Sequence, residues 1–422
     1  MKLNKKGYTL IELLAVVVIM LAISVMAISS ISAAIERNKA KQDNAKKETI
    51  VSIAKLYYDE NKNSLGTSGC IQLADLDLTD NEINIMKSNY YDEVKDLFYD
   101  EPIAIFDDSD IAKRYGKKFE DLDRVIDASS INKEVVNGYH ICEAVVLGKE
   151  QKQPISLYSE IYSCKSNNFI SKNKYTFESI DTVRKVLSRK CNMVFDRGYD
   201  DNKIIDYVDS NGDYFVIRMD DKRNFLFKGK KKNCYKEAVK RKGKVRMELW
   251  FDDNEVHEVY VSHTRVTLPY NKKDYELVFV YGLSEERPLI LPTNRNIKSK
   301  EDVIKVVRLY FSRWRVEEYF RTKKQEYDFE NIRLRTLKSI NNLNLMLTIF
   351  MGYLGIKVEK INKNLLTIKI IYASESLREK VCMWTGQIAR GIGKILELAH
   401  TGIKEWQHME ERNKYRQLAL KL

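Results

Sequence analysis

The sequence predicts an α/β chain preceded by one long apolar N-terminal helix. Three observations carry this. Short apolar runs at 102–106, 191–195 and 214–218 have strand character, and the first two run into acidic clusters. Residues 302–325 are patterned as a helix. Residues 13–35 carry no charge, enough chain to cross roughly 30 Å of hydrocarbon as a helix. At 422 residues, with 44% hydrophobic residues, the chain has room for two or three domains with ordinary cores.

The N-terminal segment is taken first. Lys2, Lys5 and Lys6 precede the apolar run, and flanking lysines favour the cytoplasmic side. A secretory signal places its cleavage site after the apolar run, whereas here the distinctive residues come before it. Lys-Lys-Gly-Tyr-Thr-Leu-Ile-Glu-Leu-Leu at 5–14 resembles the leader of type IV prepilins and pseudopilins. That resemblance implies cleavage by a prepilin peptidase after Gly7 and methylation of Tyr8 as the new N-terminus. It also implies that Glu12 pairs with the N-terminal amine of a neighbouring subunit. The physics agrees, because a carboxylate inside a bilayer helix costs about 2.5–3.5 kcal/mol at the centre and needs a partner. Residues 36–61 continue in helix-favouring residues without Gly or Pro, and Ser64–Gly69 breaks the pattern.

Charge and cysteine usage narrow the remainder. The net charge of +12 favours a polyanionic partner, nucleic acid or an anionic membrane surface. The six cysteines, at 70, 142, 164, 191, 234 and 382, form no CxxC pair, and the five histidines complete no zinc pattern. Reduced buried thiols in a cytosolic region are the expectation, with no structural zinc.

Four features beyond residue 100 point to chemistry. The run Pro102–Phe106 ends in Asp107, Asp108 and Asp110, and a carboxylate at the end of a central strand is well placed to hold a metal ion. Cys191–Phe195 runs into Asp196-Arg197-Gly198-Tyr199-Asp200-Asp201, then a helix-like stretch and a third strand, which together read as an α/β unit. On the helix at 302–325, Tyr310, Arg313, Glu317 and Lys324 fall within a stripe about 60° wide, whereas Lys323 points away. Val303, Val306 and Val307 begin the same stripe. It thus starts apolar and becomes polar, as where a helix leaves a core for a cleft. The fourth feature is basic. From Lys222 to Arg246 there are twelve Lys or Arg, among them Lys230, Lys231, Lys232 and Arg241, against the single acid Glu237. That density beside a metal site fits phosphate contacts.

The spacing Tyr310-x2-Arg313-x3-Glu317-x6-Lys324 resembles the YREK signature of insertion-sequence DDE transposases. The stretches 196–202 and 312–331 are similar to the same family, and the resemblance runs from about residue 85 to the C-terminus. It implies a ribonuclease-H-like catalytic core with a β-rich insertion domain and a triad of Asp107, Asp196 and Glu317. Asp108 and Asp110 compete with Asp107, which the family's Asp-x-Thr/Ser pattern favours. The carboxylates would hold two Mg²⁺ ions, with Mn²⁺ as a substitute, for phosphoryl transfer on DNA. Tyr310, Arg313 and Lys324 would contact phosphates. Trp250 and Trp314 would pack in the core or stack on an unpaired base. The implied partners are double-stranded DNA, as transposon ends and target, and a second copy of the chain in a homodimeric DNA complex.

These readings divide the chain into a leader at 1–7, a pilin-like helix at 8–61 with 13–35 transmembrane, and a junction at 62–84. The core follows at 85–220 and 296–360, interrupted by the β-rich insertion at 221–295, with a helical region at 361–422. The family resemblance also implies a DNA-binding region before the first Asp, a place the pilin-like helix takes here. The chain therefore reads as a hybrid or N-terminally truncated transposase. Its catalytic part belongs in the cytoplasm or nucleoid, and its first helix in a membrane. The competing readings are a pilin-like structural subunit with a non-catalytic C-terminal domain, and a DNA-binding protein without catalysis.

Overall fold

The computed structural model describes residues 78–127, 134–250, 256–283, 287–360 and 384–400. The chain divides into two compact units, Met1–Thr79 and Asp80–Leu422, and the elements below belong to the second. The leader, Gly7, Tyr8, Glu12 and the proposed membrane helix all lie outside the described residues. Among the described residues no helix is long and apolar enough to cross a membrane.

One twisted sheet organises this unit. Strand β1 (Ile103–Ala112) is central, with β3 (Val135–Leu147) antiparallel on one side and β5 (Asn192–Phe195) parallel on the other. Beyond β3 lie β2 (Asp123–Ile126) and β4 (Pro154–Tyr162), which pair with its two halves. Beyond β5 lies β6 (Tyr214–Ile217), again parallel. The core order is therefore β4-β3-β1-β5-β6. The parallel pairs need crossovers, and two helices supply them. Helix α1 (Asp80–Val94) precedes the sheet. Helix α2 (Lys172–Leu187) joins β4 to β5 and buries Thr176, Ile180, Val183 and Leu187 at helical spacing. Ser171 caps it, accepting from Lys174 N. Helix α3 (Asn202–Ser210) joins β5 to β6, capped by Asp201.

The segment expected to be β-rich contains six strands and one short helix. These are β7 (Asn224–Phe227), β8 (Lys230–Asn233), α4 (Cys234–Val239), β9 (Val245–Trp250), β10 (Val256–Thr267), β11 (Asp274–Tyr281) and β12 (Leu289–Thr293). They extend the same sheet, because Thr293 of β12 pairs with Val216 of β6.

Two expectations need correction. The first strand does not stop at Phe106. β1 runs on through the acidic residues to Ala112, because β3 pairs with it as far as Ala112↔Gly138, while pairing to β5 ends at Phe106↔Phe195. Backbone pairing overrides the poor strand propensity of three aspartates. The helix over 302–325 is also not continuous. It divides into α5 (Lys300–Phe311), α6 (Trp314–Arg321) and a π-helical segment at Thr322–Glu326. Ser312 makes the first break. Its Oγ donates to the Leu309 carbonyl at 2.6 Å, and Arg313 N and Arg315 N close three-residue turns on Tyr310 and Ser312.

Helix α7 (Leu337–Glu359) then packs on β4, and α8 (Trp384–His400) packs on α7. The end of α7 is tied to the β3–β4 turn. The Glu359 carboxylate accepts backbone N–H groups from Glu150 at 2.8 Å, Gln151 at 3.1 Å and Gln153 at 3.0 Å.

Candidate active site

The two aspartates stand on matching floors. Phe106 and Phe195 are register partners on β1 and β5, fully buried, with ring centroids 4.7 Å apart. Asp107 and Asp196 are the next residues on each chain, just where parallel pairing ends. Side chains alternate along a strand, so the aspartates turn to the sheet face opposite the two rings. Helix α6 covers that face and presents Arg313, at its N-cap, and Glu317.

Arg313 joins the three acids. Its Nη1 lies 3.2 Å from Asp107 Oδ2, its Nε 4.0 Å from Asp196 Oδ1, and its Nη2 pairs with Glu317 Oε1 one turn along. Arg313 and Asp107 are mostly buried, while the Glu317 side chain is 53% exposed and stands at the mouth. Asp196 Oδ1 is buried with no hydrogen-bond partner.

The electrostatics follow from this crowding. Burial pushes Asp107 up to about 7, and Asp196, Asp108 and Glu317 add to the rise against the opposing pull of Arg313. Burial works against the Arg313 charge, yet Asp107, Glu317 and Asp196 hold its pKa above the ordinary arginine value. Tyr310 is buried beside them, and burial is the main cause of its raised pKa, with Asp196 contributing in the same direction.

Asp108 and Asp110 face the other way. Tyr199 Oη donates to Asp108 Oδ1 at 2.9 Å, and His140 Nδ1 lies 2.7 Å from Asp110 Oδ1. Of the three competing aspartates, only Asp107 meets Arg313.

Lys324 sits further along β1. Its Nζ donates to the Asp110 carbonyl and lies 3.4 Å from Glu330 Oε1. Lys323, as the sequence indicated, points elsewhere. It is buried and ion-paired with the equally buried Glu143 at 3.0 Å, with Ser159 Oγ also at 3.0 Å. No sequence signal marked Glu143, because a buried Lys–Glu pair is rare and has no spacing rule.

The basic segment occupies two places. Lys230, Lys231 and Lys232 are exposed on β8, with Lys232 Nζ 3.2 Å from Glu237. Arg241 lies over the Phe279 ring and, with Lys242, Lys244, Lys298 and Lys300, lines a groove of about 660 Å³ at the start of α5. The carboxylates lie beyond the other end of α5, about 18 Å along its axis. Trp314 is half-buried under the Arg315 guanidinium, 4.3 Å from the ring centre, and Trp250 ends β9.

Residues 170–352 match the model of a family described as the transposase DDE domain. The match spans Asp196, Glu317 and the helix that carries Arg313, and it supports reading the chain as a DDE transposase. Among solved structures the chain is similar to a piggyBac transposase, determined as a synaptic complex with hairpin DNA. There the identity is 12%, over 70% of this chain and 54% of that one, with a TM-score of 0.38. It is also similar to the NurA nuclease of Sulfolobus solfataricus, at 10% identity over 65% and 97% of the two chains, with a TM-score of 0.24. The chain thus spans about half the length of that transposase. No curated protein matches in sequence.

Proposed function

We propose that this chain is an insertion-sequence transposase of the YREK group that cuts and joins DNA ends by metal-dependent phosphoryl transfer. The observation that carries the reading is the meeting of Asp107, Asp196 and Glu317 on one guanidinium. Acids from two neighbouring strands and a facing helix leave their own elements to surround a single cation. Asp196 Oδ1, buried and without a hydrogen bond, fits a cation ligand better than a structural carboxylate. The strand order, with β1 between an antiparallel hairpin and two parallel strands, supports a ribonuclease-H-like core, and residues 221–295 read as its insertion domain.

Asp107, Asp196 and Glu317 would hold the divalent ions, Mg²⁺ by preference for an all-oxygen set. The chemistry such ions would supply is activation of a water or 3′ hydroxyl and stabilisation of the leaving oxygen. Arg313 balances the charge of the three acids, and on DNA binding it would turn to a phosphate at the cut end. Tyr310 props the guanidinium from below. Lys324 draws the strand bearing Asp107 and Asp110 toward the helix and contributes positive charge to the cleft. The exposed lysines of β8 and the Arg241 groove carry DNA affinity that is independent of sequence.

The test uses the full-length chain, Mg²⁺ or Mn²⁺, and linear DNA carrying the inverted repeats that flank its gene. The parent nicks or joins these ends. Glu317→Gln keeps the size, removes the charge, and loses cutting by more than the roughly 10–100-fold typical of outer-shell changes, while DNA affinity is retained. Equal cutting by parent and Glu317→Gln, or a variant that loses binding alone, overturns the catalytic reading. We also propose that residues 1–61 are pilin-like. Mass spectrometry of membrane-derived chain should find Tyr8 as the N-terminus, and an intact Met1 refutes it.

A further inference from the structure

The opposite side of β1 brings together a second set of ligating atoms. Asp123 on β2, His140 on β3 and Cys164 just after β4 each turn one donor atom toward a common point. A carboxylate oxygen, an imidazole nitrogen and a thiol sulfur there lie within 4.8 Å of one another. The sheet itself assembles them, because β3 pairs with β2 through Gly138↔Asp123 and with β4 through His140↔Tyr162. The imidazole and the Asp123 carboxylate are both nearly buried. Asp123 is fixed in place by the backbone N–H groups of Arg124 at 2.7 Å and Cys164 at 2.9 Å. Asp110 Oδ1 lies 2.7 Å from His140 Nδ1, which leaves Nε2 turned toward Asp123 Oδ2 at 3.7 Å.

We infer that Asp123, His140 and Cys164 form a binding site for a divalent transition metal of the zinc class, with Asp110 as the positioning residue for His140. Four arguments support this. One nitrogen, one oxygen and one sulfur donor make a borderline-soft set, which selects zinc over the all-oxygen ions. Metal–ligand distances of about 2.0–2.3 Å put donors around a tetrahedral ion about 3.4 Å apart. From separations of up to 4.8 Å the cluster needs to contract by at most about 1.4 Å to reach that spacing. A carboxylate on the remote imidazole nitrogen is the arrangement that fixes the tautomer of a metal-binding histidine. Finally, a neutral Nε2 beside a carboxylate oxygen would set two lone pairs against each other, and a cation between them removes that conflict.

Cys164 lies at the exposed edge of the cluster, and partial desolvation, helped by Asp123, raises its thiol pKa. On metal binding the S–H bond breaks, its proton passes to solvent and the thiolate ligates the ion. The fourth position is left to water. The ion would tie β2, β3 and the segment after β4 together beside Asp110, three residues beyond Asp107 on the same strand. Cysteine spacing gave no hint of this, since the donors are scattered from 123 to 164 and only the sheet gathers them.

The test strips the full-length chain with a chelator and titrates it with Co²⁺, then Zn²⁺. A thiolate-to-cobalt charge-transfer band is expected, displaced by stoichiometric Zn²⁺ and resistant to excess Mg²⁺, which separates it from the three carboxylates. The band should vanish in Cys164→Ser. In Asp110→Asn it should persist but require about 10–100-fold more metal. Zn²⁺ should raise the melting temperature of the parent and leave that of Cys164→Ser unchanged, while the two metal-free proteins melt alike. Absence of the band in the parent would overturn the proposal. So would a band of equal strength in Cys164→Ser, or equal stabilisation of both proteins by Zn²⁺.

Discussion

Asp107 and Asp108 are consecutive residues of one strand, yet they belong to different chemistries. Cross-strand partners share a face, so each aspartate heads a row across the sheet. Asp107 leads to Glu143 and Ser159, and this row meets the cations of the covering helix, Arg313 and Lys323. Asp108 leads to Cys142 and Glu160, and this row meets neutral or distant groups. Tyr199 donates to Asp108, and burial raises the pKa of Asp108, Cys142 and Glu160 alike. The first face gathers charge and balances it with charge. Along the second row burial favours the protonated form of Asp108 and Glu160; burial pushes Asp107 up as well, but there Arg313 pulls the other way. The difference teaches that the sheet does not discriminate between adjacent carboxylates; the helix packed on each face does.

The sharpest way to break this comparison is to remove one aspartate at a time. Asp107→Asn should abolish end cutting, with a loss above about a hundredfold, the upper range for outer-shell changes. Asp108→Asn should cut within about tenfold of the parent, because it touches Tyr199 and not Arg313. Strand-cleavage assays decide it, and a reversed order would reassign the triad. Next in size is the buried pair. Lys323→Ala strands Glu143 without its cation and should cost about 3–5 kcal/mol in urea unfolding. Lys323→Met with Glu143→Leu should recover most of that, since a hydrophobic pair avoids the desolvation cost.

A smaller effect is expected at Gly138, opposite Ala112 at the far end of β1. A methyl group there would clash with the Ile111 carbonyl oxygen and with Val125 Cγ2. Gly138→Ala should therefore destabilise by about 1–3 kcal/mol through overpacking, and its urea midpoint would report the shift. A further effect is a pH dependence on the second face. Burial pushes Glu160 up to about 7, with Glu178 adding and Lys87 opposing. Below the ordinary glutamate range both folded and unfolded forms are protonated and nothing is lost. As pH rises toward 7 the unfolded chain ionises first, so stability falls across that window. Glu160→Gln should flatten this part of the pH–stability profile, and melting curves at pH 4 to 8 would detect it.

Much of the site was legible because its signals are local. The apolar runs before Asp107 and Asp196 are strands, and Arg313 and Glu317 share a helical face as their spacing indicated. What stayed hidden depends on partners distant in sequence. β3 is buried on nearly its whole length, so its residues show no alternation to read. The continuation of β1 through Asp107, Asp108 and Asp110 needs that unseen partner. Arg313 could be read only as a phosphate ligand, because its place among the three acids is set by the docking of α6 on the sheet. A projection at constant pitch also had no means of finding the breaks at Ser312 and Thr322.

The wide π turn at Thr322–Glu326 has a consequence for how this chain can vary. A π turn holds one residue more than the α turn it replaces, so this is where an insertion or deletion would be absorbed. Removing one residue there would return the segment to an α turn and leave the register on either side nearly unchanged. Arg313 and Glu317 lie upstream and would keep their positions. Lys324 lies inside the segment, so its direction is what would change. The helix that carries Arg313 and Glu317 is in this sense two modules joined by a length-tolerant hinge, and related chains could change the spacing between Glu317 and Lys324 without disturbing the three carboxylates.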